Sequence, residues 1–119
     1  MKECTVCGKP NSECHHIVFK SQQKALEHCK YNYIYLCKEH HTGNNSPHKN
    51  RQIDVKYKLI FQNMLFEKFT NKDYTEEGIK EILNISNVSV KRLVKIIDKH
   101  IDRYKKEDII RACMGGKLY

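Results

Sequence analysis

No stretch of this sequence is apolar enough to cross a membrane, and its opening residues, Met1-Lys2-Glu3-Cys4, carry no hydrophobic segment of the signal-peptide kind. We therefore expect no membrane partner and a cytoplasmic location. Internal repeats and low-complexity tracts are missing too, which excludes a solenoid or a long solvated tail. Acidic residues are few: 14 Asp+Glu stand against 22 Lys+Arg, a formal net charge of +8. The excess is spread along the chain, as eleven bases against six acids (+5) in residues 1–70 and eleven against eight (+3) in residues 71–119. A basic surface without long apolar runs suits a polyanion such as nucleic acid. A chain of 119 residues makes one compact domain or two very small ones, and small units bury too little apolar surface to stand without a staple or a partner.

The staple is legible in the cysteines. Six cysteines in a chain expected to be cytoplasmic argue for metal before disulfide. Cys4-x2-Cys7 and Cys37-x2-His40 form two ligand pairs with 29 residues between them. A tight turn brings both members of such a pair to one ion, and two pairs close a tetrahedral structural zinc site. Cys14, Cys29 and Cys113 have no paired spacing and read as small packing residues.

Two short apolar runs, Ile17-Val18-Phe19 and Ile34-Tyr35-Leu36, read as strands separated by a polar stretch (Ser21 to Lys30) that suits a short helix. Ser46 suits an N-cap and Pro47 the first position of a long helix ending near Thr70-Asn71. Ile53, Tyr57, Ile60 and Met64, flanked by Phe61, Leu65 and Phe69, give that helix one apolar face. Asn71 to Tyr74 reads as a linker. Thr75 caps a helix to about Leu83, Ser86 caps another to about Lys99, and a third spans Tyr104 to Arg111 before Gly115-Gly116.

Between the ligand pairs lies Glu13-Cys14-His15-His16-Ile17, followed by Asn32-x3-Leu36-Cys37-x2-His40-His41 and then His48. Over residues 4–50 this order resembles the HNH nucleases, in particular the compact zinc-containing kind often encoded by phages and mobile elements. Asn32, nine residues before His41, has the family's spacing. The resemblance implies a ββα-metal unit around one catalytic divalent cation, which could be Mg²⁺, Mn²⁺, Ni²⁺ or Zn²⁺. It implies that His15 is a ligand of that cation, that His16 is the general base, and that Asn32 braces the loop holding His16. His41 would add a ligand from the far side, and His48 a further ligand or a phosphate contact. The chemistry is consistent: an imidazole near its own pKa can take a proton from water at neutral pH, and a divalent cation offsets charge growing on the phosphate. In a regular strand His15 and His16 point to opposite sides, so the resemblance places them at a bent strand end.

Two departures stand out. The family commonly has a second His four residues after the position of His41; here Thr42-Gly43-Asn44-Asn45-Ser46-Pro47 intervenes and His48 falls in the first turn of the long helix, which leaves open whether His41, His48 or both bind the cation. His40 stands where Cys is the commoner zinc ligand, and zinc accepts either. His28 and His100 belong to no constellation and read as surface residues.

Glu76 to Leu93 resembles a helix-turn-helix, with Ile79, Leu83, Ile85, Val90 and Leu93 where that motif needs apolar groups and Asn84 where its turn tolerates a left-handed residue. Lys80 departs from the small residue usual at the helix crossing. Tyr104 to Ile110 resembles, more loosely, the tail that follows this motif in small excisionase-like domains. The resemblance implies that the second helix enters the DNA major groove and presents Asn87, Ser89, Lys91, Arg92 and Lys95.

The expectation is thus an α+β protein: a zinc-stapled ββα-metal nuclease unit with its long helix over residues 1–70, then a helix-turn-helix-like DNA-binding region over 71–119. The expected activity is metal-dependent hydrolysis of DNA, most simply duplex, inside a bacterial host cell. Two alternatives are a non-catalytic zinc-finger and helix-turn-helix DNA-binding protein, which has no need of His15-His16 with Asn32, and an RNA-binding module stacking bases on Tyr31, Tyr33 and Tyr35.

Overall fold

The computed structural model describes residues 2–119. The fold is a small mixed α+β one with two antiparallel two-stranded sheets. β1 (Glu13–His16) pairs with β2 (Tyr33–Leu36) in the register Glu13↔Leu36, His15↔Ile34. A 3₁₀ turn (Lys24–Leu26) lies between them. α1 (Lys38–Thr42) and the long α2 (Arg51–Lys68) follow. The C-terminal part runs β3 (Asp73–Tyr74), α3 (Glu76–Leu83), α4 (Asn87–Val94), β4 (Tyr104–Lys105) and α5 (Lys106–Cys113). No helix among the described residues is long and apolar enough to cross a membrane.

Several boundaries differ from the sequence reading. The first strand lies four residues earlier than the run Ile17-Val18-Phe19. Ile17 and Val18 are buried plugs of the core. The Asn32 side chain takes both main-chain groups of Val18: its Oδ1 accepts the Val18 N–H (2.8 Å) and its Nδ2 donates to the Val18 carbonyl (2.9 Å). A segment whose polar groups are satisfied this way needs no strand partner. Asn50, not Ser46, caps the long helix, accepting from the N–H groups of Gln52 and Ile53. Ser46 is buried in the preceding turn, where its hydroxyl donates to the Gly43 carbonyl and its own carbonyl accepts from Lys49 and Asn50. His48 therefore sits in a turn ahead of α2, not in its first turn.

The buried seam of α2 runs through Phe61 and Leu65 to its C-cap residue, Phe69, while Ile60 is 58% exposed. The presumed linker contributes β3, which pairs with β4 at Tyr74↔Tyr104, so the last helix starts at Lys106 rather than Tyr104. Thr75 and Ser86 cap α3 and α4 as their sequence positions suggest, and Asn84 between them is left-handed at φ 53°. α4 stops at Val94, short of Lys99, because Ile96 and Ile97 tighten into a final turn that buries Ile97. Cys29 and Cys113 are buried as packing residues, but Cys14 is exposed on β1.

One apolar core runs through both parts of the chain. Val18, Leu26 and Phe61 share it with Leu83, Leu93 and Ile110. α4 rests on the Lys24–Leu26 turn. Buried polar links cross the same boundary: the Gln23 amide donates to the Ala112 carbonyl (2.7 Å) and the Cys29 thiol to the Leu83 carbonyl (3.4 Å).

Candidate metal centres and the histidine depression

Cys4 and Cys7 occupy a tight turn in which the Gly8 N–H donates to the Cys4 carbonyl and the Cys4 N–H to the Lys9 carbonyl. Gly8 has φ +77°, a conformation that favours glycine. The Thr5 N–H donates to the Tyr35 carbonyl and so docks this turn on β2. Cys37 is the N-cap of α1, and His40 lies one turn into that helix. The four ligand atoms are within 4.8 Å of one another. Cys7 Sγ–Cys37 Sγ is 3.7 Å, Cys4 Sγ–His40 Nδ1 3.6 Å and Cys37 Sγ–His40 Nδ1 3.2 Å. A zinc tetrahedron with bonds of about 2.3 Å to sulfur and about 2.0 Å to nitrogen has edges of about 3.5–3.8 Å, so the set can hold an ion such as zinc. Burial works against a charged Cys4 thiol, but hydrogen bonds from the backbone of Cys37, Cys7 and Val6 and from His40 outweigh it and lower its pKa to about 6. A thiol so tuned is ready to ligate as thiolate.

A second cluster joins His15 of β1, His41 of α1 and His48 of the turn before α2, each offering a ring nitrogen within 4.8 Å of the others. His41 Nε2 and His48 Nε2 are 3.2 Å apart. His15 is 1% exposed, and neither of its ring nitrogens has a hydrogen-bond partner. Buried polar atoms are rarely left this way; a cation would take the lone pair of one of these two nitrogens, and three imidazoles suit Zn²⁺ and Ni²⁺. Gly43, which ends α1, allows the chain to return His48 to His41: a side chain there would strike the Glu39 carbonyl.

Residues assigned no part in the site from sequence complete the surroundings. Glu13 Oε1 is 2.9 Å from His41 Nδ1. Phe19 stacks on His48 at 5.2 Å between ring centroids. The buried Lys58 lies 4.0 Å over that same Phe19 ring and bonds both Asp54 oxygens at 2.7 Å. The i, i+4 spacing of Asp54 and Lys58 was a visible signal of their pairing, though not of its place under the histidines.

His16 stands outside the converging set. Its Nε2–H donates to the Glu27 carbonyl (2.8 Å), an acceptor shared with the Tyr33 hydroxyl (3.0 Å). A carbonyl only accepts, so Nε2 carries a proton, and in the neutral ring the lone pair is on Nδ1. Asn32, fully buried, also donates to the Leu26 carbonyl (3.3 Å), tying the Val18 segment to the loop that ends at Glu27. His15, His16, His41 and His48 line one depression of about 280 Å³ with Cys14, Phe19 and Lys20. A larger hollow of about 570 Å³ on the outer face of α2, around Leu59 and Ile60, contains no Cys, His or acidic group.

Burial, then the neighbouring His48, His41 and Lys58, hold His15 far below its ordinary 6.5, at about 3. Below pH 6.5 the unfolded chain takes a proton that the folded chain refuses, so this residue's effect on stability is absent above 6.5 and grows as pH falls toward 3. We expect the urea midpoint of the zinc-loaded protein to fall more steeply from pH 7 to pH 5 in the native sequence than in His15→Leu. Parallel curves would remove His15 as the cause.

Asn87 and Arg92 of α4 and its C-cap residue, Lys95, are exposed. Lys91 is exposed but pairs with Glu76 at 3.1 Å, and the half-buried Ser89 is held in the helix cap by Ser86. His28 and His100 are exposed and stand apart from both clusters. Comparison with protein-family models, curated proteins and solved structures yields no match to this chain.

Proposed function

We propose that this protein is a metal-dependent DNA endonuclease of the HNH type. Cys4, Cys7, Cys37 and His40 hold a structural zinc, and His15, His41 and His48 hold a catalytic divalent cation. The observation that carries the reading is the pairing of this three-imidazole cluster with a fourth imidazole, His16, in the same depression. The carbonyl bond of His16 leaves its Nδ1 free to accept a proton.

In the proposed reaction His16 Nδ1 takes a proton from water. The water oxygen bonds to phosphorus as the bond from phosphorus to the 3′-oxygen breaks, and solvent protonates the departing oxygen. The products carry 5′-phosphate and 3′-hydroxyl ends. The bound cation supplies neutralisation of charge on the phosphate and the leaving oxygen. Lys20, exposed at the rim, adds positive charge where the phosphate backbone would lie. The test is incubation of the zinc-loaded protein with supercoiled plasmid and, separately, structured RNA, with added Mg²⁺, Mn²⁺ or Ni²⁺. Cation-dependent nicking or linearisation of the plasmid is expected. Cleavage of RNA alone would replace the substrate, and cleavage of neither would end the reading.

In the same reading α4 grips the duplex through Asn87, Lys91, Arg92 and Lys95, with Ser89 serving the cap. Changing Lys91, Arg92 and Lys95 together to Ala should weaken DNA binding and reduce its salt dependence by roughly one unit of slope per lost phosphate contact. Lys91 must leave Glu76 to contribute, so the single Lys91→Ala change should have the smallest effect of the three. Equal affinity and slope in the triple variant would mean that α4 does not touch DNA.

A further inference from the structure

We propose that Glu13 is the positioning residue of the three-histidine site: its carboxylate accepts the Nδ1–H of His41 and so aims the Nε2 lone pair of His41 at the cation. The inference rests on the reading of His15, His41 and His48 as a cation site.

The contact brings together residues 28 apart in sequence at 2.9 Å. The register explains it. Glu13 lies opposite Leu36 at the end of β2, and β2 leads through the cap residue Cys37 directly into α1, which carries His41. Glu13 and His15 are two residues apart on one strand and so project from the same face. The strand therefore delivers one cluster member and the acceptor for another.

A carboxylate has no proton to give here, so the bond requires the hydrogen on Nδ1 of His41. In the neutral ring Nε2 then holds the lone pair, and it lies 3.2 Å from His48 Nε2. Glu13 does not itself belong to the converging ligand set; it touches the other nitrogen of the ring. This arrangement, a carboxylate behind a ligating imidazole, fixes the tautomer and ring orientation and raises ligand basicity. The other two rings are held differently: His48 by stacking on Phe19, and His15 by burial. The carboxyl side chain of Glu13 is about half exposed, so the pair adds little to stability, and an effect on cation affinity without an effect on folding is what separates orientation from structure.

The experiment uses the zinc-loaded full chain titrated with Ni²⁺ by calorimetry, with zinc content and thermal melting checked in each variant. Glu13→Ala should weaken Ni²⁺ binding by about 10–100-fold with unchanged zinc content and melting, and Glu13→Gln, which retains an acceptor oxygen, should recover most of the loss. Long-range ¹H–¹⁵N spectra should show the Nδ1–H tautomer of His41 in the native protein and a mixture in Glu13→Ala. Equal Ni²⁺ affinity in Glu13→Ala, or an Nε2–H tautomer of His41 in the native protein, would overturn the assignment, even if plasmid DNA is cleaved. Weakened binding in a protein that cleaves no nucleic acid would instead leave Glu13 in place and remove the nuclease reading. A native protein whose cluster takes up no Ni²⁺ would overturn both.

Discussion

His16→Ala is expected to slow plasmid cleavage by about a hundredfold or more, the usual scale for loss of a positioned acid–base group, while zinc content, fold and DNA affinity stay close to native. The separation is expected because His16 is outside both converging ligand sets and only partly buried, with one hydrogen bond to a main-chain carbonyl that Tyr33 also satisfies. His15→Ala should behave differently. It removes a fully buried ring from the cluster, so its defect should appear as weakened cation binding that added metal partly restores. A cation titration of the two variants distinguishes the roles. Native cleavage by His16→Ala would exclude it as the base, and a native cation dependence in His15→Ala would exclude it as a ligand.

Cys7→Ser, or removal of zinc by a chelator, should unfold the N-terminal part of the chain. Residues 2–12 contain no helix or strand. A few main-chain hydrogen bonds and the small cluster of Cys4, Leu36 and Cys37 hold them. Structural zinc sites in small units contribute on the order of 10 kcal/mol or more of folding free energy, far beyond what those contacts supply. The damage should spread, because Leu26 and Cys29 share a core with Leu83 and Leu93. Elemental analysis should find about one tightly held zinc per chain in the native protein, and the chelated protein should lose its native amide dispersion in NMR spectra. A metal-free chain with an unchanged spectrum and melting point would sink the staple.

The two ligand clusters differ in how far the sequence revealed them. Cys4, Cys7, Cys37 and His40 were readable because coordination chemistry itself sets the spacing of a ligand pair, whatever fold surrounds it. His15, His41 and His48 were readable only through resemblance to a family, and which of them converge depended on a loop whose course the sequence left open. Local rules failed where long-range contacts took over. Ile17 and Val18 have the composition of a strand, yet Asn32, fourteen residues away, satisfies Val18 and lets both residues fill the core. Ser46 and Asn50 are both good N-caps, and the choice fell to Asn50 because Ser46 was needed to close the turn that returns His48. The β3–β4 pair is two residues long on each side, too short for any periodicity to register. Glu13, Phe19 and Lys58 carry no motif and gain their meaning only from what the fold lays against them.

The turn Lys24–Leu26 faces two ways. α4 lies on one side of it, and the next residue, Glu27, offers the carbonyl that fixes the His16 ring. The helical part of the chain thus backs the turn from which the His16 ring is held. Exchange of residues 71–119 for another folded unit would have to keep that backing. An acceptable graft must present carbonyls where Leu83 and Ala112 now receive Cys29 and Gln23, and an apolar surface that closes over Leu26. Without them, the exchange would come at the cost of the geometry around His16.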